Sequence, residues 1–547
     1  MHHGMVFSLL LNKQKKMNRK EFLQNSAKGV ALTTILPSLA FCTSNGQQKT
    51  IPGNYQVSTN FEADVDIELT AALSELQLFS GNQTKVYSYQ PKLLKGEKGS
   101  LEELPGSYLG PVIRVRQGQK IRVRFYNQLP RESVIHWHGL HIPPEMDGHP
   151  MYAIENGEQY IYEFEVNNRP GTYWFHPHPD KITGPQVYQG LAGLFIVEDD
   201  NNALPSGEND VPLIIQDRMF DNSNQLVYLQ NNRMGQMQGF LGNRILVNGN
   251  PDTTLNVSKS TYRFRVLNGS NSRIYKLAWD DSEDVIVIGA DGGLLEKPVK
   301  KPYLMLAPGQ RAEIWKDFSG QNTGTEIQLQ SLAFNDGTSM GMGGGMMGRG
   351  MGGGMMQPGG VENGIAFNVA SFKVTENSGK KMELPSSLST IMPINPADAV
   401  NSANPRQFYF YNQRMQWVIN GETFGMTEVA EWEKVKLNTT EIWEFINGDN
   451  GRGMGMMQDM MRMPHPVHLH GLQFQIIERE FSGMQRAVWE SVKDGFMDDG
   501  WQDTFLLMPG MKVKIAMKFE DFKGIYVYHC HNLKHEDMGM MRNYEVI

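Results

Sequence analysis

The sequence predicts an all-β protein, mostly antiparallel, on three observations. Short runs alternate apolar with charged residues, Asn-Gly pairs follow several of these runs, and long amphipathic helices are scarce. Val112–Arg116 (Val-Ile-Arg-Val-Arg) and Lys120–Phe125 (Lys-Ile-Arg-Val-Arg-Phe) are the first such runs. A period of two sends their apolar side chains to one sheet face and their charges to the other. Tyr262–Leu267 and Glu441–Ile446 repeat the character, and Asn268-Gly269 and Asn447-Gly448 follow them. Asn-Gly is the dipeptide a tight hairpin turn favours, so each pair predicts a turn.

An internal repeat sets the organisation. Gly171–His178 (Gly-Thr-Tyr-Trp-Phe-His-Pro-His) matches Gly524–His531 (Gly-Ile-Tyr-Val-Tyr-His-Cys-His) in spacing, and His136–Leu140 matches His468–Leu472. Between them, Ile245–Gly249 echoes Val418–Gly421, and Pro308-Gly309-Gln310-Arg311 echoes Pro509-Gly510-Met511-Lys512. Three copies of one module are therefore expected, near residues 51–200, 205–375 and 400–547, with Pro/Ser/Asn-rich links around 201–210 and 385–405. The middle copy carries no histidine. A chain of 547 residues has room for three or four domains, at roughly 150 residues each.

Composition excludes some classes of function. At 40% hydrophobic residues the chain is too polar for a polytopic membrane protein, and a net charge of −8 offers no basic field for nucleic acid. Residues 1–50 read as an export leader: Lys13, Lys15, Lys16, Arg19 and Lys20 precede an apolar stretch from Gly29 to Phe41, too short to span a bilayer as a mature helix. Asn18–Leu23 resembles a twin-arginine export signal with lysine in the second position, and translation from Met17 would leave residues 1–16 as an upstream extension. Leu39-Ala40-Phe41-Cys42 resembles a lipoprotein box, apart from Phe41 where a small residue is usual. An exported protein is expected, periplasmic or lipid-anchored to the cell envelope through Cys42.

Two segments break the β pattern. Residues 339–359 are almost entirely glycine and methionine, including Met340, Met342, Met346, Met347, Met351, Met355 and Met356. Residues 453–463 repeat the theme with Met454, Met456, Met457, Met460, Met461 and Met463. So much glycine cannot bury a core or hold a helix, which makes the first stretch a surface loop.

The chemistry lies in the histidines. Ten of 14 fall into four clusters: His136/His138, His176/His178, His465/His468/His470 and His529/His531/His535, with Cys530 inside the last. Imidazole with a single thiolate is a copper set, and with Cys42 the only other cysteine, a four-cysteine zinc site is excluded. Strand alternation turns His529 and His531 one way and Cys530 the other, so one tripeptide can touch two metal centres. Cys530, His465 and His535 supply sulfur and two nitrogens, and Met540 can add a long axial thioether, the set of a blue copper electron-transfer site. The remaining eight histidines form His-x-His pairs, two from each end of the chain, and suit three copper ions held between modules.

Taken in order, these four motifs resemble those of the multicopper oxidases, over essentially the whole mature chain. The resemblance implies three cupredoxin-like Greek-key β-sandwiches that oxidise a reductant one electron at a time and reduce dioxygen to water. It implies four copper ions. His465, Cys530, His535 and Met540 would bind type 1 copper, His136 and His468 type 2, and His138, His176, His178, His470, His529 and His531 the type 3 pair. Asp147 and Glu536 match family positions credited with proton delivery, whereas a bland reading makes each a loop acid in a turn. His141 and His149 lie outside the motifs and are expected beside the site or at the surface.

For the reductant, soft thioethers point to Cu(I), as in bacterial copper-tolerance oxidases. Asp459, Met460, Met461 and Met463 precede His465 closely enough to pass an electron to it, and Met351 and Met355 of the loop are further candidate ligands for substrate copper. The alternatives are a laccase acting on phenols or other small organic donors, with the methionines as a lid, and a copper carrier without catalysis, which the intact ligand set opposes. Pro177 stands where a two-site nitrite reductase would need cysteine. A monomer with no nucleic-acid partner is expected.

Overall fold

A computed structural model describes residues 57–199, 203–229, 237–337, 361–448, 462–481 and 486–547. The leader with Cys42, the Gly/Met segment with Met351 and Met355, and Asp459, Met460 and Met461 lie outside the described residues.

The described strands form six sheets, two from residues 65–198, two from 210–378 and two from 406–546. Pairing is mostly antiparallel, and each sheet contains one parallel pair. One arrangement recurs three times. Val65–Leu76, Asp210–Arg218 and Arg406–Gln413 each sit between an antiparallel neighbour and a parallel one, the parallel partners being Lys120–Asn127, Thr261–Asn268 and Thr439–Asn447. A strand beside a parallel neighbour must be reached by a crossover rather than a hairpin, which is the Greek-key signature of a cupredoxin-like sandwich. The strands read from alternation are all present: Val112–Arg116, Lys120–Asn127, Thr261–Asn268 and Thr439–Asn447.

Apolar faces pack into a core for each pair of sheets, centred on Trp137 and Phe125, on Phe264 and Phe372, and on Trp443 and Phe505. A smaller cluster joins the first third to the middle one, with Trp174, Leu194 and Ile196 against Ile214, Leu246 and Leu267. Helices are short, Thr183–Gln189, Arg486–Val492 and Leu533–Asp537. Among the described residues none is long and apolar enough to cross a membrane.

The turn expectation at Asn268-Gly269 and Asn447-Gly448 needs correction. Neither pair closes a hairpin; at each the chain leaves its sheet. Both asparagines are buried clamps: Asn268 Nδ2 donates to the carbonyls of Arg273 and Leu306 at 2.8 Å each, and Asn447 Nδ2 donates to those of Met463 and Leu507 at 2.7 and 3.0 Å. The tight turns fall at the repeated pairs instead. Asn248-Gly249 (φ 52° and 77°) and Asn420-Gly421 (φ 54° and 89°) adopt the left-handed conformation that a type I′ hairpin requires.

Candidate metal centres

Strand pairing assembles the histidines. Ile135–His138 lies antiparallel to Gly171–Pro177 with His136 opposite His176. His465–Leu469 lies antiparallel to Gly524–Cys530, with His468 opposite His529 and Val467 opposite Cys530. The two strand pairs, from opposite ends of the chain, face each other. His136 Nε2 is 3.2 Å from His468 Nε2 across 332 residues of sequence. His178 Nε2 and His470 Nε2 lie 3.4 and 3.2 Å from His529 Nε2, and His138 Nδ1 is 3.4 Å from His176 Nε2. His531 is 1% exposed with both ring nitrogens free of hydrogen bonds, and its ring lies 5.0 Å from that of His138. All eight side chains are buried.

Burial lowers the imidazoles of His136, His138, His176, His178, His468, His470 and His531, His176 to about 4 and His178 to about 3. They are therefore neutral near pH 7, with lone pairs available. Neutral, converging, unsatisfied nitrogens in a dry site are the donor set a metal needs, and they would be costly without one. His136, His468 and His470 bring one nitrogen each within 4.8 Å of one another, as do His178, His470 and His529, and His136, His138 and His176. The residues fit a copper cluster.

A second group lies behind the strand. Cys530 Sγ is 3.4 Å from His465 Nδ1 and 3.5 Å from His535 Nδ1. Met540 is buried in the same core and tied to this group by backbone bonds, Cys530 N–H to the Met540 carbonyl and Met540 N–H to that of His535. Burial pushes the Cys530 thiol well up, so a bound cation is what would release its proton and make a thiolate. Again the residues fit copper.

The acids differ in setting. Asp147 Oδ2 is 2.7 Å from His470 Nδ1, and its backbone carbonyl accepts from His136 Nδ1 at 2.7 Å. Burial pushes its carboxyl well above the ordinary range. Glu536 Oε2 lies 3.0 Å from His529 Nδ1 and Oε1 lies 3.6 Å from His178 Nε2. Burial raises this carboxyl, but the His529 and His178 imidazoles beside it outweigh that effect and hold it below its ordinary value. Gly148, at φ 89°, lets this turn close: a Cβ there would strike the His136 Cα and the Ile135 carbonyl.

The remaining expected residues scatter. His141 bonds to the Gly471 carbonyl and to Asp521, and His149 to Asn543, so neither joins a cluster. Met463 packs partly buried against the core that contains Cys530.

Sequence reasoning missed four residues. Trp417 lays its ring 4.2 Å from that of His535 and 5.3 Å from that of His465. Its indole N–H donates to the Met237 carbonyl, which also accepts from His535 Nε2. Asp503, Arg311 and Asp291 form a buried ion-pair group against His138. The Pro308-Gly309-Gln310-Arg311 repeat was a visible signal for one of them; nothing local marked its partners.

Two stretches, residues 86–202 and 393–547, match the family description "Multicopper oxidase". The chain is 31% identical to the multicopper oxidase mco of Staphylococcus aureus over 84% of this chain and 89% of that one. Among solved structures it is similar to McoA multicopper oxidase from Aquifex aeolicus, at 34% identity and TM-score 0.71 over 89% of this chain and 97% of that one. It is also similar to a multicopper oxidase from Campylobacter jejuni described as a metallo-oxidase, at 26% identity and TM-score 0.68 over 90% and 93%.

Proposed function

The chain belongs to the multicopper oxidase family, and from that membership we propose that it is a cuprous oxidase: it takes electrons one at a time from Cu(I) and delivers four to dioxygen. The observation that carries the reading is the placement of Cys530 between His529 and His531. Sulfur on one strand face and imidazole on the other link two buried donor groups through a single dipeptide, a short covalent path for an electron. Bound copper would supply one-electron redox chemistry at both ends of that path.

The chain's own residues have the following roles. His465, Cys530, His535 and Met540 hold the type 1 ion; His136 and His468 hold type 2; His138, His176, His178, His470, His529 and His531 hold the type 3 pair, four ions in all. Asp147 keeps His470 and His136 oriented, and it shares with Glu536 the task of passing protons toward the oxygen site. The three modules bounded near 51–200, 205–375 and 400–547 divide this work, the outer two carrying the ligands. The thioethers of Met463, Met460, Met461, Met351 and Met355, with the carboxylate of Asp459, gather substrate Cu(I) for delivery of its electron to His465. The metallo-oxidase among its structural relatives is consistent with that choice of reductant.

Steady-state oxygen uptake tests it, with Cu(I) and with a phenol, on wild type and on a form lacking residues 340–356. Loss of Cu(I) turnover with phenol oxidation unchanged or raised is the expected result. Unaltered Cu(I) oxidation would favour a laccase, and equal losses would give the segment a folding role.

A further inference from the structure

The middle third has no histidine, yet it reaches the histidine cluster. The Ala307–Gln310 turn packs on it directly: Gly309 sits at φ 87°, and a Cβ there would lie 3.0 Å from His531 Cδ2 and 3.1 Å from His138 Cε1. Next in sequence, Arg311 forks onto Asp503, Nη1 to Oδ1 at 2.8 Å and Nη2 to Oδ2 at 2.5 Å. Asp291 closes the group. Its carboxylate accepts from the Arg311 backbone N–H at 2.7 Å and from the Thr504 N–H at 3.2 Å, while its carbonyl accepts from Arg311 Nη2 at 2.9 Å. Asp291, Arg311 and Asp503 are all at most 2% exposed.

We propose that Asp503, clamped by Arg311 and Asp291, is a positioning residue that selects which nitrogen two of the cluster histidines turn toward the metals. The proposal rests on the copper reading above. A carboxylate held on a guanidinium fork can only accept, so His138 Nε2, 3.1 Å from Asp503 Oδ1, carries the proton. The lone pair of His138 is thereby left on Nδ1, the atom that faces His176 Nε2. The backbone carbonyl of Asp503 accepts from His468 Nδ1 at 2.8 Å, which leaves the lone pair on Nε2, facing His136. Thr504 Oγ1 stands 3.1 Å from both rings and bridges them.

Asp147 does the same on the other side, with its carboxylate on His470 and its carbonyl on His136. Two aspartates thus orient four imidazoles, each using side chain for one and backbone for the other. They differ in one respect. Asp147 Oδ1 has no hydrogen-bond partner, whereas both Asp503 oxygens are taken by Arg311. Gly139, directly after His138, makes the approach possible, since any Cβ there would overlap Asp503 and Arg311. The middle third is in this way an outer wall of the cluster that sets its donor atoms. Partners of ligating histidines are worth about 10- to 100-fold in metal affinity.

The test uses Asp503→Asn, Arg311→Lys and Gly309→Ala in the full chain, loaded at limiting copper beside wild type. Readouts are copper per chain, the paramagnetic type 2 signal, and the blue absorption of the Cys530 site. Because Arg311 takes both Asp503 oxygens, an asparagine of the same size must turn its NH2 toward either the guanidinium or His138, and lysine at 311 keeps charge but loses the fork. The expected result for Asp503→Asn and Arg311→Lys is a blue band of wild-type intensity with cluster copper bound about 10- to 100-fold more weakly and an altered type 2 signal. Gly309→Ala should perturb the cluster signal and leave the blue band intact. Wild-type copper content and type 2 signal in Asp503→Asn and Arg311→Lys would overturn the proposal. So would parallel loss of blue band, cluster copper and thermal stability, which marks a folding role only. Wild type that takes up no copper would overturn the reading it rests on as well.

Discussion

In the proposed electron path Cys530 joins the two donor groups through one side chain and its own backbone, so it is the residue where substitution is most informative. Serine matches its size but is a hard, weak ligand, and Cys530 lies at a strand end already fixed by its pairing opposite Val467 and by its N–H bond to the Met540 carbonyl. Cys530→Ser should therefore abolish the blue colour and oxygen uptake while circular dichroism stays that of wild type. Retained thiolate-to-copper absorption would sink the assignment. The acids can be separated by kinetics. In Asp147→Asn the amide oxygen can still accept from His470 Nδ1, so geometry is kept while the ionisable group goes; Glu536→Gln does likewise beside His529. Each should slow reoxidation by dioxygen about 100-fold or more and leave anaerobic reduction of the Cys530 site fast, as followed by stopped-flow absorbance. Loss of the fast reduction with normal reoxidation would give these acids a different role.

Among the elements, strand ends matter more than strand middles. Strands Thr261–Asn268 and Thr439–Asn447 end in asparagines that reach across to carbonyls of the opposite sheet, tying two sheets at one point. Asn268→Ala would leave the Arg273 and Leu306 carbonyls unpaired in a buried site, at a cost of about 2 kcal/mol or more. The prediction is a lower denaturant midpoint with an unchanged slope. A shift no larger than that of an exposed Asn→Ala control would show that water replaces the amide there.

Across the molecule, charge as well as apolar surface joins the first third to the middle. Arg265 bonds to Asp210, Glu313 and Thr172, and Arg263 bonds to Glu313 and Asp199, all away from bulk water. Burial raises the Asp210 carboxyl, but Arg265, Arg263 and Arg114 together outweigh it and hold the group below its ordinary value. A folded pKa below the unfolded one gives stability that is fully present above the unfolded value of about 3.9 and is lost as pH falls through the lower folded value. The melting temperature should accordingly drop on acidification below about pH 4. Asp210→Asn should be less stable at neutral pH, because it removes the buried negative charge that Arg265 Nε faces and leaves Glu313 alone to balance that guanidinium, and should show a shallower acid dependence. An unchanged acid limb in that variant would exclude Asp210 as its source.

The strands, the threefold repeat and the histidine and cysteine clusters that the fold brings together were legible in the sequence, because each is written locally. Alternation declares a strand within six residues, a His-x-His pair puts both rings on one sheet face, and matched spacing at the two ends of the chain declares a shared module. The asparagines at the strand ends were misread for the same reason: Asn-Gly looks alike in a tight turn and at a sheet exit, and only the facing carbonyls tell them apart. Asp503, Arg311, Asp291 and Trp417 carried no local signature. His138 meets Asp503 across 365 residues, and Arg311 meets it across 192. Such contacts exist only once three sandwiches have packed, because an isolated aspartate on a strand end reads as a solvated charge. For His136, His138, His468 and His470 the nitrogen left free to face the cluster is decided there, by the hydrogen-bond acceptor that packing places behind the ring.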